Sequence, residues 1–509
     1  MRKRCFLWLL LTVVFVWTAG GVAAAPTGKI TAAFTGQPST FDPHKITGLP
    51  IAFQYPNVFD TLIFRSPDGK LIPHLALSWK LVKPTAWEFK LRKGVKFSNG
   101  ETMNAHAVKF SIERIIAPGM KTRQISYFRS VARVEVVDDY TARIHTKKPD
   151  MMLPDILAAY GQIVAPKYYS KTDPKILARK PVGSGPFRMT KWVKNQEIVY
   201  EANPNYFKPG VPKAKTVVLK LITEATTRVA ALVSGSVDII DNVPPQLASL
   251  IEKNPNTEIM SGPSPRAHLV MMTIKKGSHW DNPKVRMAMN YAVDKDSIIK
   301  NIFQGNAEKI NVLQGPGSFG QNPNLKPYPY NPAKAKKLLA EAGYPNGFQA
   351  DIFVPHGRYL MGKQAAEAVA GYLEAVGIKV KMLSMEWGAF VRKSRARWKP
   401  GTKPYMWYSA RMDIQLHADG MYAGFIHGKA TWGGFRDAGV DKLLVEARGE
   451  PSRAKRVKMY HNINRILHDE KVPLVFLYRV NQIHAKKKNV DWRLRSNGLI
   501  LLLEVGRKK

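Results

Sequence analysis

The sequence predicts an α/β protein of more than one domain, and three observations carry that prediction. The chain has 509 residues, more than a single hydrophobic core organises. Its first half contains short runs of period-two alternation, such as Trp87, Phe89 and Leu91 set against Glu88 and Lys90. From about residue 281 the pattern changes to capped helices that stop at glycine and lead into strands, the repeating unit of α/β layers. A hydrophobic fraction of 45% and an aromatic fraction of 10% are those of a globular protein rather than a disordered one.

Taken in order, the chain begins with Arg2-Lys3-Arg4, an apolar run over 6–17 and the small residues Ala23-Ala24-Ala25. That is the pattern of a cleavable export signal over residues 1–25. Residues 5–25 are also nearly long enough to span a bilayer, so an uncleaved anchor is the alternative. The single cysteine, Cys5, falls in this segment; the rest needs no disulfide and is compatible with an oxidising compartment.

A strand is predicted at 30–35, then a loop over 36–45 containing Asp42-Pro43. Phe53, Val58, Leu62 and Phe64 follow at mixed apolar spacing. The strand around Trp87–Leu91 turns at Lys93-Gly94 and again at Asn99-Gly100. A helix is predicted at 106–116 and a hairpin at 134–137 and 141–144 around Asp138-Asp139. The stretch 181–207 opens with a turn at Gly183, Gly185 and Pro186 and continues as strands 187–193 and 197–201. Ser184 is expected to bond a backbone group within that turn. A helix at 224–233 follows.

Asp281 or Asn282 caps the next helix, with Pro283 at its first position and Val285, Ala288, Met289 and Ala292 on one face. Asn331-Pro332 opens another, which carries Ala335, Leu338, Leu339 and Ala342 and stops at Gly343. Ala366, Val369, Leu373 and Val376 line a third, which ends at Gly377 before the alternating strand Ile378, Val380, Met382. A helix opens at Val440, a basic helix runs to about 468, and apolar strands are predicted at 472–477 and 499–505. There is no internal repeat and no low-complexity linker.

Composition and motifs exclude several functions. The formal net charge is +40, of which Arg2, Lys3 and Arg4 supply only three. Nucleic acid is the usual partner for such a balance, yet the basic residues are spread along the chain with no zinc, helix-turn-helix or RNA-binding pattern. The charge reads as a solvated basic surface, able to approach anionic membrane headgroups. Residues 315–320 spell GxGxxG, but the proline-rich stretch 321–330 follows where a dinucleotide site needs a helix. GxSxG and HExxH are absent, no other catalytic set is apparent, and no cluster of histidines suggests a metal. No enzyme activity and no cofactor are therefore expected.

Five blocks, taken together and in this order, resemble one family: 73–100 (PHLALSW to LRKGVKFSNG), 181–207 (PVGSGPF to NPNYF), 228–239, 285–295 and 331–348 (NPAKAKKLLAEAGYPNGF). They resemble the peptide/nickel-type, family 5, solute-binding proteins of ABC importers. The resemblance implies a two-lobe periplasmic binding protein fold of the class II-like, cluster C type, with an extra α+β subdomain on the first lobe. Lobe I would comprise 26–58, 181–265 and 476–509, the subdomain 59–180, and lobe II 266–475. A periplasmic monomer would capture a small polar ligand, a peptide or something peptide-like, by hinge closure and deliver it to an inner-membrane ABC permease. The competing class is an exported basic protein that binds anionic membrane or a polyanion without a transport role.

The family also suggests where ligand is held. In its peptide-binding members a segment at this place presents an aspartate to the ligand's α-amino group, and here the segment is 405–422. If Tyr408 takes the aromatic position, Arg411 stands where that aspartate would be and suits a carboxylate or phosphate. A register two residues later uses Asp413 as an amine partner instead. Trp407 and Tyr408 read equally as strand-core aromatics. Arg266 is a second cation placed to face a cleft or to sit solvated in a hinge. Trp387 and Trp432 supply rigid aromatic area, and Gln37 and Tyr55 belong to first-lobe loops that are candidates by analogy.

Overall fold

The computed structural model describes residues 25–46, 54–120, 122, 124–315, 317–430 and 432–508. The export signal, apart from its last residue, and Phe53 and Pro316 lie outside the described residues. Among those described, no helix is long and apolar enough to cross a membrane.

Two mixed sheets dominate. The first has seven strands, in the order Thr257–Gly262, Gln482–Lys487, Ile239–Ile240, Thr27–Phe34, Ala214–Leu221, Glu197–Ala202 and Phe187–Val193. Thr27–Phe34 lies at its centre, parallel to both neighbours. The second has six, in the order Ala307–Lys309, Leu474–Val480, Arg266–Met272, Met406–Met412, Phe348–Pro355 and Ile378–Met385. A separate four-stranded antiparallel sheet, Ala76–Lys83, Ala86–Leu91, Thr141–Thr146 and Val131–Asp138, belongs to the segment between Phe34 and Phe187.

The second sheet is covered on both faces, and strand alternation explains how. Along Arg266–Met272, Ala267, Leu269 and Met271 point to one side and Val270 and Met272 to the other. The helices Pro283–Ala292, Pro332–Glu341 and Gly362–Glu374 pack on the Val270 side through Val285, Met289, Leu339, Val369 and Leu373. Ala418–Phe425, Ala438–Gly449 and Arg453–Arg465 cover the Leu269 side through Met421, Leu444 and Ile463. Caps fall where expected. Asn282 accepts a hydrogen bond from the Lys284 amide and Asn331 from the Lys334 amide, each just before a proline that starts the helix.

The two sheets are joined where strands of one run directly into strands of the other. Thr257–Gly262 of the first sheet is followed, after Pro263, Ser264 and Pro265, by Arg266–Met272 of the second. Leu474–Val480 of the second returns through Asn481 to Gln482–Lys487 of the first.

The stretch 181–207 is a junction. A Cβ on Gly183 would lie 2.0 Å from the Val58 carbonyl oxygen, and one on Gly185 would lie 2.4 Å from the Val58 carbonyl carbon. These glycines are required by close backbone approach, not by a left-handed conformation. The Gly185 amide donates to Val58 O at 2.9 Å, locking the contact. Two sequence expectations need correction. Ser184 bonds no local backbone; its hydroxyl donates to the buried Asp60 carboxylate at 2.9 Å. Asp60 also meets His74 at 2.7 Å and accepts from the Tyr206 hydroxyl at 3.2 Å, so it ties the turn to chain 124 residues away. Residues 499–505 form no strand. They are buried in the first core, with a short 3-10 turn at Leu502–Glu504. An apolar run records burial, and only an available strand edge makes it a strand.

Candidate functional site

A cavity of about 480 Å³ lies where the two sheets and the segment carrying the four-stranded sheet meet. The first sheet's side supplies Gln37, from the loop after the central strand, and the intervening segment supplies Tyr127 and Tyr160. The second sheet's side supplies three arginines. Arg266 begins the crossing strand, Arg411 is the last residue but one of Met406–Met412, and Arg358 sits in the turn after Phe348–Pro355. Strand ends place them well, because a strand tip projects side chains beyond the sheet while its backbone stays rigid.

No carboxylate lines this cavity among the described residues. Arg411 is only 7% exposed, stacks over Phe425 at 4.6 Å and Trp432 at 4.9 Å, and directs one nitrogen at Met271 Sδ at 3.8 Å, a weak acceptor. Its Nε has no hydrogen-bond partner among the described residues. Arg358 lies over the Trp387 ring at 4.6 Å, and its Nε is likewise unpartnered. Trp387 in turn stacks on Trp432, with centroids 6.3 Å apart.

Electrostatics follow from this crowding. Burial, reinforced by Arg358 and opposed by Tyr359 and Asp241, pushes the Arg266 guanidinium down to about 10, which leaves it charged at neutral pH. Burial also lowers Arg411; Tyr359 and Tyr127 oppose that shift and Arg358 adds to it. Tyr359 shows the field from the other side. Burial alone would raise its hydroxyl, but Arg411 and Arg358, with the nearby Ser409 and Ala410 groups, outweigh burial and lower it. Three guanidinium groups thus share this cavity, with no carboxylate among its described lining residues.

Of the residues that sequence singles out, Gln37, Arg266, Trp387, Arg411 and Trp432 line this space together. Tyr55, Trp407, Tyr408 and Asp413 do not. Trp407 is 1% exposed in the core on one face of its strand. Tyr408 is buried on the other, its hydroxyl 2.8 Å from His268 Nδ1 and 2.9 Å from the Tyr478 hydroxyl. Both faces of that strand are covered, so only its end reaches the cavity. Tyr55 is fully buried and donates to the Thr40 carbonyl at 2.5 Å. Asp413 lies between two lining residues but turns inward; its carboxylate accepts from Ser318 Oγ at 2.7 Å and from the His417 amide at 3.2 Å.

Sequence reasoning missed Arg358, Tyr359, Tyr127, Tyr160 and Phe425. Arg358 stands in His356-Gly357-Arg358, a turn with no period to betray it. Tyr127 and Tyr160 stack on each other at 4.5 Å from two helices, Ile125–Phe128 and Leu153–Tyr160, that the sequence reading did not single out. Among the described residues no group of three or more His, Cys, Asp or Glu side chains could hold a metal ion.

A ligand-sized cavity between two α/β units joined by paired crossings defines a two-lobe binding protein. Residues 70–430 match the family model described as "Bacterial extracellular solute-binding proteins, family 5 Middle", and the chain belongs to that family, the solute-binding components of ABC transporters. It is 28% identical over 419 residues to the glutathione-binding protein GsiB of Escherichia coli K12, covering 80% of this chain and 81% of that one. Two solved structures superpose with a TM-score of 0.84. One is the periplasmic binding protein DppA from Helicobacter pylori in complex with the peptide STSA (26% identity, 95% of this chain, 98% of that one). The other is AgaA from A. tumefaciens R10 in complex with agropinic acid (28% identity, 95% of this chain, 99% of that one). The fold class read from sequence, two α/β lobes with an added α+β segment, is that of these proteins.

Proposed function

We propose that this protein captures a small anionic solute, with at least one carboxylate, in the arginine-lined cavity and presents it to an ABC permease in the periplasmic space. The observation that carries the reading is Arg266, Arg358 and Arg411 around one cavity with no acidic residue among its described lining. A buried cation without a counter-ion is costly, and a ligand carboxylate supplies it. Guanidinium groups bind carboxylates in a two-pronged geometry, while Trp387, Trp432 and Phe425 provide flat apolar walls. Glutathione, named for GsiB, and agropinic acid, named for AgaA, are both acids, which agrees with this chemistry. The Asp413 alternative, an amine-binding register, loses ground because that carboxylate is enclosed by Ser318 and His417.

In this reading lobe I is 26–58, 181–265 and the chain after Asn481, the inserted subdomain is 59–180, and lobe II is 266–480. We put the second crossing at Asn481 rather than at 476, a choice supported by the pairing of Leu474–Val480 within the second sheet. Ligand contacting both lobes favours the closed form by its differential affinity for the two states.

The test is calorimetry and thermal shift on ligand-stripped protein with glutathione, acidic opines and acidic di- and tripeptides, each beside its amidated form. One-to-one binding by an acid, with loss on amidation, is expected, as is a raised melting temperature. Equal binding of acids and amides would overturn the assignment. Salt-sensitive binding of heparin or anionic vesicles, with no small ligand bound, would favour the polyanion-binding class instead.

A further inference from the structure

Beside the main cavity is a smaller annex of about 100 Å³, set against the crossing strands. Gln37, Arg266, Arg358 and Met412 line both spaces, so one ligand can occupy the two together. The annex differs in chemistry from its neighbour. It is walled by His484 and Gln482 of the returning strand, Gln54 from the first-lobe loop, His268 of the crossing strand, and Asp241.

Several buried polar atoms around it have no hydrogen-bond partner among the described residues. His484 is 5% exposed, with both Nδ1 and Nε2 unpartnered. Gln54 is 3% exposed; its amide donates to Gly36 O at 3.1 Å, which leaves Oε1 unpartnered. Gln37 Oε1 accepts from Trp192 Nε1 and the Asn195 amide, which leaves its Nε2 unpartnered. Leaving such groups unmatched is costly, so they mark a place built for a polar occupant.

The kind of occupant follows from counting donors and acceptors. Burial first, and the Arg266 charge second, push both His268 and His484 down to about 3, so each is neutral at physiological pH. His268 already uses Nδ1 with the Tyr408 hydroxyl, so the imidazole with both nitrogens to offer, one as donor and one as acceptor, is that of His484. Gln37 adds a donor and Gln54 an acceptor. That balanced set fits groups that both donate and accept, which is hydroxyl and carboxamide chemistry. An ammonium would face Arg266. Asp241, the one carboxylate here, is already engaged by the Thr35 amide at 3.0 Å, the Thr35 hydroxyl at 3.0 Å and Asn242 at 2.9 Å, with Arg228 at 3.8 Å. The cations of the annex, Arg266 and Arg358, are shared with the main cavity, where the carboxylate head engages them.

We infer that the annex is a second subsite for an uncharged, hydroxyl- or carboxamide-bearing tail, and that the solute is bipartite: an acidic head at Arg358 and Arg411, a neutral polar tail at His484, Gln54 and Gln37. This rests on the anionic-solute reading above. An annex of this size takes only the last few heavy atoms of such a tail, and the rest of the chain would lie in the adjoining cavity.

Three probes sharing one head test it: glutamate N-substituted with a 1-deoxyhexitol chain, with a hexyl chain, and with an aminohexyl chain. The hexitol probe is expected to bind at least about tenfold tighter than either other probe, because a site that hydrogen-bonds hydroxyls rejects tails lacking them. His484→Phe, or Gln54→Leu should the first variant fold poorly, is expected to erase that preference by weakening the hexitol probe at least about tenfold. Arg411→Ala is expected to weaken all three alike. Equal affinity for hexitol and hexyl probes, with Arg411→Ala still damaging, would show that the annex holds only water and overturn the subsite alone. Preference retained in both annex variants would do the same. Binding unaffected by Arg411→Ala, or no binding by any probe, would overturn the anionic reading and the subsite with it.

Discussion

At the scale of single residues, function rests on which charges have partners. Arg448 is half-buried and paired with Asp419 and Asp150, a balance of charge that holds structure together. Arg411 is more deeply buried, yet among the described residues it meets only rings and a thioether, which is why we propose it as the partner of a ligand carboxylate. Replacing Arg411 by Ala should cost an acidic ligand about 2–4 kcal/mol, roughly a hundredfold in Kd by titration calorimetry. Arg411→Lys should recover only part, because the planar fork is lost. Titration offers a second residue-scale prediction. His484 is held neutral in the fold down to about pH 3, whereas its ordinary value is 6.5. Between those values the unfolded chain binds a proton that the native state does not. Stability therefore falls as pH drops through this window, by up to about 1.4 kcal/mol per pH unit per histidine. Urea melts at pH 7 and pH 5 should show a smaller loss for His484→Phe than for the parent. Equal losses would mean that His484 titrates normally in the fold.

At the scale of elements, two features account for much of the architecture and each can be broken by one atom or one cap. Gly183 and Gly185 let the turn press against the Val58 carbonyl, and Gly183→Ala would force a methyl to within 2.0 Å of that oxygen. The expected cost is about 3 kcal/mol, read as an earlier urea transition. Ligand affinity in the folded fraction should be unchanged, since the turn is not among the cavity's lining residues. Asn331→Ala removes the cap of Pro332–Glu341 and should cost about 1 kcal/mol by the same measurement. Elements of this kind were readable in the sequence because their signals are local. Asn-Pro starts, glycine stops and period-two alternation at Trp87, Phe89 and Leu91 all report conformation within a few residues. Residues 499–505 misled because burial without pairing looks the same in sequence as burial within a sheet.

At the scale of the whole molecule, paired crossings at 263–265 and at Asn481 form a narrow joint between two large units. Such a joint allows relative rotation with few backbone changes, so binding of an acidic ligand should compact the protein. Small-angle scattering should show a smaller radius of gyration on saturation and none of this change in Arg411→Ala at the same ligand concentration. The net charge of +40 gives the molecule a long-range field that speeds capture of anions at low salt. Association rates should fall with ionic strength more steeply than dissociation rates rise.

The sequence by itself determined the family, the α/β class, the capped helices of the second half and the expectation of a cation at position 411. All of these are carried by short-range patterns or by ordered blocks, and neither depends on knowing what packs against what. It identified Gln37, Arg266, Trp387 and Trp432 along with Arg411, but could not separate them from Tyr55, Trp407, Tyr408 and Asp413. Only the tertiary structure decided that. Position 408 and position 411 lie on one strand, yet one ends under a helix layer and the other at the open tip. Asp413 is a ligand candidate in one dimension, and in three it caps a loop with Ser318, 95 residues away. Arg358 and His484 enter the proposed site for the same reason. Side chains far apart in the chain converge where two sheets meet, and no local signal records a meeting between distant strands.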